Sequence, residues 1–137
     1  MKNTQLFLDI IAGKIPSEKI YEDENVFAFL DIHPTNKGHV LVVPKQHSEG
    51  LLDTQDEVLA ALMIAVKKVA AAVMQATGAQ GFNLIQNNGT AAGQVIFHTH
   101  VHIIPRFEGD GFAHWPGMDY AEGEAKEVAE NIRKALG

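Results

Sequence analysis

Apolar residues recur at helical spacing in three parts of the chain. The longest pattern begins after Thr54-Gln55-Asp56-Glu57, a capping-box sequence, and runs to Gly78, which is typical of a helix end. Shorter patterns cover residues 4–12 and 125–136. The chain is therefore expected to form one long helix and a shorter helix near each terminus.

Between these patterns, β-branched and aromatic residues form short runs bounded by turn residues. Strands are predicted over 26–30, 39–43, 82–86 and 95–105, and residues 21–25 are expected to end a further strand and begin a turn. This order of helices and strands lacks the regular alternation of a parallel α/β fold. We predict an α+β fold, with an antiparallel sheet and segregated helices, in one domain over 1–137.

The composition excludes several classes of protein. A net charge of −6 argues against binding to duplex nucleic acid, which requires a basic face. The absence of cysteine excludes disulfides, thiol nucleophiles and cysteine-based zinc sites. No apolar run approaches the roughly 18 residues of a membrane span, and Met1-Lys2-Asn3 begins no signal peptide. We expect a cytoplasmic protein with no membrane partner.

Three alternating histidines make the segment His98-Thr99-His100-Val101-His102 the most informative in the chain. Side chains alternate along a strand, so the three imidazoles are expected on one face at roughly 7 Å spacing, with Thr99 and Val101 directed into the core. Imidazoles in such a row rarely serve packing. The segment is therefore predicted to be functional.

Two chemistries are compatible with this row of histidines. A His-x-His pair on a strand can bind zinc, and Glu108 or Asp110 could add a third ligand. Alternatively, the neutral central imidazole attacks phosphorus while its neighbours donate hydrogen bonds to the phosphate oxygens. The seven histidines of the chain leave both alternatives open.

The segment from His98 to Ile104 resembles the His-φ-His-φ-His-φ-φ signature of the histidine-triad (HIT) family, apart from threonine at the first φ position. Further segments resemble the family in order along nearly the whole chain: 11–17, 27–32, 38–47, Asn87 with Gly93-Gln94, and His114-Trp115-Pro116, which is similar to the Hint-like branch. The resemblance implies the HIT fold, an antiparallel sheet of about five strands with one long helix and shorter terminal helices.

The resemblance also implies a mechanism. His100 would be the nucleophile, forming a nucleotidyl-histidine intermediate that water hydrolyses, while its other ring nitrogen donates to a backbone carbonyl. His102 and His39 would contact the phosphate or the leaving group, and His98 would orient the strand. This scheme requires no metal and no other cofactor.

The same resemblance implies the substrate-binding residues. Asp31 would accept hydrogen bonds from the ribose hydroxyls, Asn87 and Gln94 would donate to the phosphate, and Gly93 would allow the backbone to approach it. Trp115 suits a substrate rim or an interface. The purine base would lie between five apolar side chains: Leu6, Phe7, Ile10, Phe29 and Ile32.

Two departures from the family pattern change what is expected. Family members with two cysteines near the N-terminus hold a structural zinc ion together with the residue that corresponds to His47, but those positions are Gln5 and Leu8 here. Many relatives carry serine or threonine at the position of Val95, and that hydroxyl can hydrogen-bond near the bridging atom of the leaving group. Valine lacks the hydroxyl, so the sequence leaves the identity of the leaving group open.

Our leading hypothesis is a purine nucleotide hydrolase or transferase that acts on nucleoside 5′-phosphoramidates as a homodimer, with the C-terminal segments crossing near the partner's site. The nearest alternative is a dinucleoside polyphosphate hydrolase of the same family, in which Arg106 would bind a longer polyphosphate. A non-catalytic nucleotide-binding module is a third hypothesis. The fourth is a zinc hydrolase that uses His98, His100 and His102.

Overall fold

A five-stranded antiparallel sheet organises the chain, as predicted for an α+β fold. The strands lie in the order β1-β2-β3-β5-β4, and every neighbouring pair is antiparallel. The computed structural model describes residues 1–137, with the elements α1 (Leu6–Ile11), β1 (Lys19–Glu22), β2 (Val26–Leu30), β3 (Val40–Pro44), α2 (Asp56–Thr77), β4 (Gly81–Ile85), β5 (Val101–Arg106) and α3 (Glu124–Leu136).

The long helix α2 covers one face of the sheet. Every third or fourth residue of the helix lies on one face and forms an apolar stripe. Every second residue of β2, β3 and β5 points toward this stripe and packs against it. Gly78 ends the helix in the left-handed conformation with φ 70°, as the sequence predicted. Twelve buried residues form this core: Val26, Ala28, Val40, Val42, Leu62, Ala65, Val66, Val69, Ala70, Val73, Val101 and Ile103.

The short helix α1 lies on the opposite face of the sheet. There the other alternate residues of β2 and β3 form a second, smaller core with two residues of α1: Phe7, Ile10, Phe27, Phe29, Leu41 and Val43. The Phe7 ring meets the Phe29 ring edge-on at 5.6 Å between centroids. This face also carries the histidines, so α1 and the sheet enclose the candidate site between them.

The predicted strand over 95–105 is wrong in its first half. Residues 97–100 leave the sheet ladder because their backbone groups bond elsewhere: the Phe97 N–H donates to Asn3 O, and the Thr99 N–H donates to Ser48 O at 2.7 Å. Regular pairing begins only at Val101. Two of the three alternating histidines therefore lie on irregular backbone before the strand.

The predicted capping box at Thr54 is also wrong. Helix α2 begins at Asp56 with Gln55 as its N-cap, and no side chain caps it. The Thr54 hydroxyl instead lies within 2.8 Å of Ser48 Oγ and 3.1 Å of Thr99 Oγ1, and it donates to Gly50 O. The three buried hydroxyls satisfy one another, which explains a polar residue at the first φ position of the histidine motif. They fix Thr99 against the start of α2.

The C-terminal helix α3 has no buried residue, although its apolar residues fall on one face. It follows the extended segment 112–121, in which Trp115 and Met118 are exposed. This segment begins at a clamp in which the Arg106 guanidinium holds both carboxylate oxygens of Asp110, at 2.7 and 2.9 Å. Across the fold as a whole, no helix is both long and apolar enough to span a bilayer.

Candidate active site

A cavity of about 400 Å³ lies between α1, the ends of β2 and β3, and the loop before β5. Its volume suits a ligand the size of a mononucleotide, and mainly apolar walls with a few convergent polar groups are typical of ligand sites. The polar or charged side chains on its wall include Asp31, Asn87, His100 and His102. The cavity thus brings together side chains from distant parts of the sequence.

His100 lies at the floor of this cavity, with only 7% of its surface exposed. Its Nδ1–H donates to the backbone carbonyl of His98 at 2.6 Å; a carbonyl can only accept, so the remaining lone pair is on Nε2. The Phe7 ring packs edge-on against the imidazole at 4.9 Å. Burial lowers the pKa of His100 below its ordinary 6.5, although the bond to His98 acts in the opposite direction. The ring is therefore a neutral imidazole at pH 7.

His102 on β5 and His39, which directly precedes β3, form a pair beside His100. His102 is opposite Leu41 in the β3–β5 ladder, and its Nδ1 lies 2.9 Å from His39 Nε2. Burial is also the main reason why the pKa of each ring is lowered. The rings of His100 and His102 are 5.0 Å apart, so the three imidazoles form a continuous neutral group.

Asp31 directly follows β2, and one of its carboxylate oxygens is directed at the histidines. Its Oδ1 accepts the His33 N–H at 2.8 Å, which fixes the carboxylate in a tight turn. Its Oδ2 is 3.6 Å from His39 Nε2. Asp31 lines the cavity, as expected for a group that binds the ribose, and this role stays a prediction.

The loop before β5 forms the end of the cavity near His100. The Asn87 side chain faces the cavity and makes no hydrogen bond within the chain. Gln94, by contrast, uses both ends of its amide to hold the loop: Nε2 donates to Glu49 O and Ile96 O, and Oε1 accepts the Gly89 N–H. Gln94 therefore shapes the loop, and Asn87 keeps its donors free. Gly93, with φ 91°, adopts a conformation that favours glycine.

The apolar wall contains all five residues predicted to hold the base. Phe7 and Ile10 are buried, whereas the Ile32 side chain stands exposed at the rim. Four further apolar residues that were not predicted to hold the base also line the wall: Ile15, Leu30, Leu41 and Ile96. Leu41 could have been found, because it lies two residues after His39 in the predicted strand 39–43 and therefore shares its face. Val95 also lines the cavity and is 73% exposed.

Three predicted site residues lie outside the cavity wall: His39, which contacts the wall residue His102, together with His98 and Trp115. His98 is fully buried, and its Nε2–H donates to Pro44 O at 2.7 Å, which ties the irregular backbone before β5 to the end of β3. This position agrees with a role in orienting the strand. Trp115 is 86% exposed and lies beside a separate groove next to Arg106, so this chain alone does not bring it to the cavity.

One group of side chains has the spacing of a metal site. Ligand atoms of Asp31, His39 and His102 lie within 4.8 Å of one another. However, His39 Nδ1 accepts the N–H of Thr35 at 3.0 Å. A metal on His39 Nε2 would move the ring proton to Nδ1, where it would face that N–H. The distances within this group suit a metal ion, but the protonation of His39 that the Thr35 N–H favours does not.

The zinc sites considered from the sequence also fail to assemble. His98 and His100 each direct one ring nitrogen at a backbone carbonyl, and the group of three candidate ligands does not include them. At the family's structural zinc position, His47 Nε2–H donates to Phe97 O, and His98 Nδ1 is buried without a partner. Gln5 and Leu8 complete no tetrahedral set with these two rings.

Comparison with known proteins identifies the class to which this fold and site belong. The HIT domain model matches residues 12–109, and the chain is a member of the HIT family. The HIT protein of Bacillus subtilis is 46% identical over 135 residues, covering 96% of this chain and 93% of that protein. A Streptococcus mutans crystal structure has a TM-score of 0.92 at 43% identity, covering 100% of this chain and 87% of that one.

A relative named for its activity covers almost the same length. The adenosine 5′-monophosphoramidase of Schizosaccharomyces pombe is 40% identical over 134 residues, covering 96% of this chain and 97% of that protein. The family membership confirms the resemblance seen in the histidine motif. The name of this relative supports nucleotide hydrolysis in general.

Proposed function

We propose that this protein hydrolyses purine nucleotides at the α-phosphate, or transfers the nucleotidyl group, through a covalent intermediate on His100. One observation carries the proposal: the His100 Nδ1–H is held by the His98 carbonyl, so the Nε2 lone pair of a neutral, buried ring is left for attack. Nucleoside 5′-phosphoramidates are the favoured substrates, and the phosphoramidase of Schizosaccharomyces pombe supports this choice.

The reaction proceeds in two displacements at phosphorus. In the first, the His100 Nε2–P bond forms while the P–N bond to the leaving amine breaks, and the amine takes up a proton from water. In the second, a water oxygen bonds to phosphorus, the Nε2–P bond breaks, and the water's protons pass to solvent and the product. Neutral imidazole is thus regenerated, so no co-reactant other than water is required.

The surroundings of His100 supply donors for the charge on the phosphoryl oxygens. Asn87 has two unused amide hydrogens, and His102 faces the same cavity. Donors that are already in place cost no reorganisation during the reaction, which makes them effective in a buried site. Asp31, whose carboxylate lies within 4.8 Å of a ring nitrogen of His102, would accept hydrogen bonds from the ribose hydroxyls.

The dinucleoside polyphosphate alternative loses the residue that favoured it. Arg106 is occupied by Asp110, by Asn83 Oδ1 at 2.8 Å and by the carbonyl of Phe112. Its donors are therefore directed at the protein and not at a long anionic substrate. Val95 remains the single feature in favour of a leaving group other than an amine, since it offers no hydroxyl to the bridging atom.

The proposal is tested by incubating purified protein with adenosine 5′-phosphoramidate, with and without a chelator, and measuring AMP. We expect release of AMP that the chelator does not reduce. Diadenosine polyphosphate is the parallel substrate. Tight AMP binding without turnover of either substrate would contradict the proposed activity and would favour the non-catalytic module.

We further propose that the protein forms a homodimer. The exposed apolar residues of the C-terminal segment and the unburied helix α3 support this, since a single chain leaves them without a partner. Sedimentation velocity at micromolar concentration is expected to give a mass near twice 14.9 kDa. A monomer that persists at that concentration would contradict the homodimer.

A further inference from the structure

His39 is enclosed by hydrogen bonds at both ring nitrogens. It is 4% exposed, and its Nδ1 lies 3.0 Å from the backbone N–H of Thr35. Its Nε2 lies 2.9 Å from His102 Nδ1 and 3.6 Å from Asp31 Oδ2. The Thr35 contact is the informative one, because a backbone N–H can only donate.

These contacts determine where the ring protons are. Since His39 Nδ1 accepts, the single proton of a neutral His39 is on Nε2. That Nε2–H donates to the nearer acceptor, which is His102 Nδ1. His102 must then carry its own proton on Nε2, the nitrogen that is left for the cavity. One backbone amide therefore sets the tautomer of a ring that it does not touch.

The same contacts oppose the cationic form of both rings. A protonated His39 would direct Nδ1–H at the Thr35 N–H, and a protonated His102 would direct Nδ1–H at the His39 Nε2–H. In each arrangement two N–H donors would face each other in the buried site, with no acceptor between them. His102 is thus held as a neutral ring with one donor.

The loop that presents the Thr35 amide is anchored at several points. The His39 N–H donates to Asn36 O, and the Asp31 N–H donates to His39 O, which closes the loop on itself. The Asn36 side chain donates to Pro105 O at 2.9 Å and to Asp110 Oδ2 at 3.1 Å. The amide is therefore held against His39 from two strands, while the Thr35 side chain is exposed and makes no hydrogen bond.

We propose that the backbone amide of Thr35 is a positioning group that, through His39, holds His102 as the neutral Nε2–H tautomer, a fixed hydrogen-bond donor to the phosphoryl group. This inference rests on the proposed function for its substrate. With the opposite tautomer, His102 would present a lone pair to a phosphate anion, and the two would repel each other. The arrangement assigns His102 to charge stabilisation and leaves nucleophilic attack to His100.

The test begins with the unaltered protein, because the ring tautomers can be observed without any substrate. Long-range ¹H–¹⁵N NMR spectra at pH 7.5 distinguish protonated from unprotonated ring nitrogens. We expect the proton on Nε2 for His39 and His102, and on Nδ1 for His100. A proton on Nδ1 of His39 or His102 would overturn the proposal. This readout stands even if the protein releases no AMP, so it separates failure of the inference from failure of the proposed function.

The variant Thr35→Pro removes the N–H, and Thr35→Ala is its matched control, since alanine keeps the N–H and removes only the exposed side chain. We expect Thr35→Pro to lower kcat about 10- to 100-fold with KM changed less than about threefold, and Thr35→Ala to do neither. His102 in Thr35→Pro should also show a mixture of tautomers. Equal losses in both variants, or a folded Thr35→Pro protein with unchanged kcat and tautomers, would contradict the proposal. If Thr35→Pro does not fold, the NMR spectra of the unaltered protein decide.

Discussion

The His100→Ala variant is expected to lose at least about 10³-fold in kcat for adenosine 5′-phosphoramidate while it still binds AMP. The nucleophile forms a bond to phosphorus, so no neighbouring group can replace it by a small shift. Binding should change by less than about tenfold, because the cavity wall and Asp31 hold the nucleoside without it. Turnover is measured by AMP release, and binding by calorimetry with AMP.

Glu24→Ala is the control for this variant. Glu24 is an exposed residue of the turn between β1 and β2 and lies outside the cavity. It should therefore keep the activity and the AMP affinity of the unaltered protein. Activity within about tenfold of normal in His100→Ala would contradict the assignment of the nucleophile. Loss of AMP binding in His100→Ala would instead show that the ring supports the cavity.

Acidification is expected to destabilise the protein, beginning below pH 6.5. Burial lowers the pKa of His39, His98, His100 and His102 in the folded protein, whereas each would have its ordinary value of 6.5 in the unfolded chain. Below pH 6.5 the unfolded chain therefore binds more protons than the folded one. As the pH decreases from 6.5, the free energy of unfolding therefore decreases. These histidines cause no further decrease once the pH is below their folded pKa values.

This prediction is checked by urea unfolding at pH 7.5, 6.5, 5.5 and 5.0. Carboxylates with lowered pKa values, such as Asp23 and Asp53, also lose stabilising contacts in acid, but only near and below their ordinary value of 3.8. The window between pH 6.5 and 5 therefore reports the histidines. A free energy of unfolding that is constant or rises on going from pH 7.5 to 5 would contradict their burial as neutral rings.

The histidine motif shows how far the sequence could predict this site. Alternation placed His100 and His102 on one face, and the two rings indeed lie side by side at 5.0 Å. The strand was nevertheless predicted too long, because the backbone around Thr99 bonds to Ser48 and not to a neighbouring strand. Such a contact joins residues 51 positions apart, which no local pattern encodes.

Side-chain roles were harder to predict than side-chain positions. Thr54 has the sequence of a helix cap, but its hydroxyl is used in a buried cluster with Ser48 and Thr99. Gln94 borders the cavity, but its amide bonds to Gly89 of the same loop and to the carbonyl of Glu49. In both residues a tertiary hydrogen bond competes with the role that the motif suggests, and only the fold decides between them.

The backbone amide of Thr35 illustrates a group that the sequence does not reveal. Any residue other than proline supplies an N–H, so the residue type carries no signal. Its importance comes from the closed loop that brings it to His39. The exposed helix α3 is a different case, since its apolar face was predicted correctly but nothing within the single chain buries it.

The central claim, a covalent bond between His100 and phosphorus, is tested most directly by stereochemistry. Adenosine 5′-phosphorothioamidate of one configuration at phosphorus is hydrolysed in ¹⁸O-water, and the configuration of the product is determined by ³¹P NMR. Two in-line displacements, first by His100 and then by water, predict overall retention. Overall inversion would mean that water attacks phosphorus directly, and would contradict the nucleotidyl-histidine intermediate.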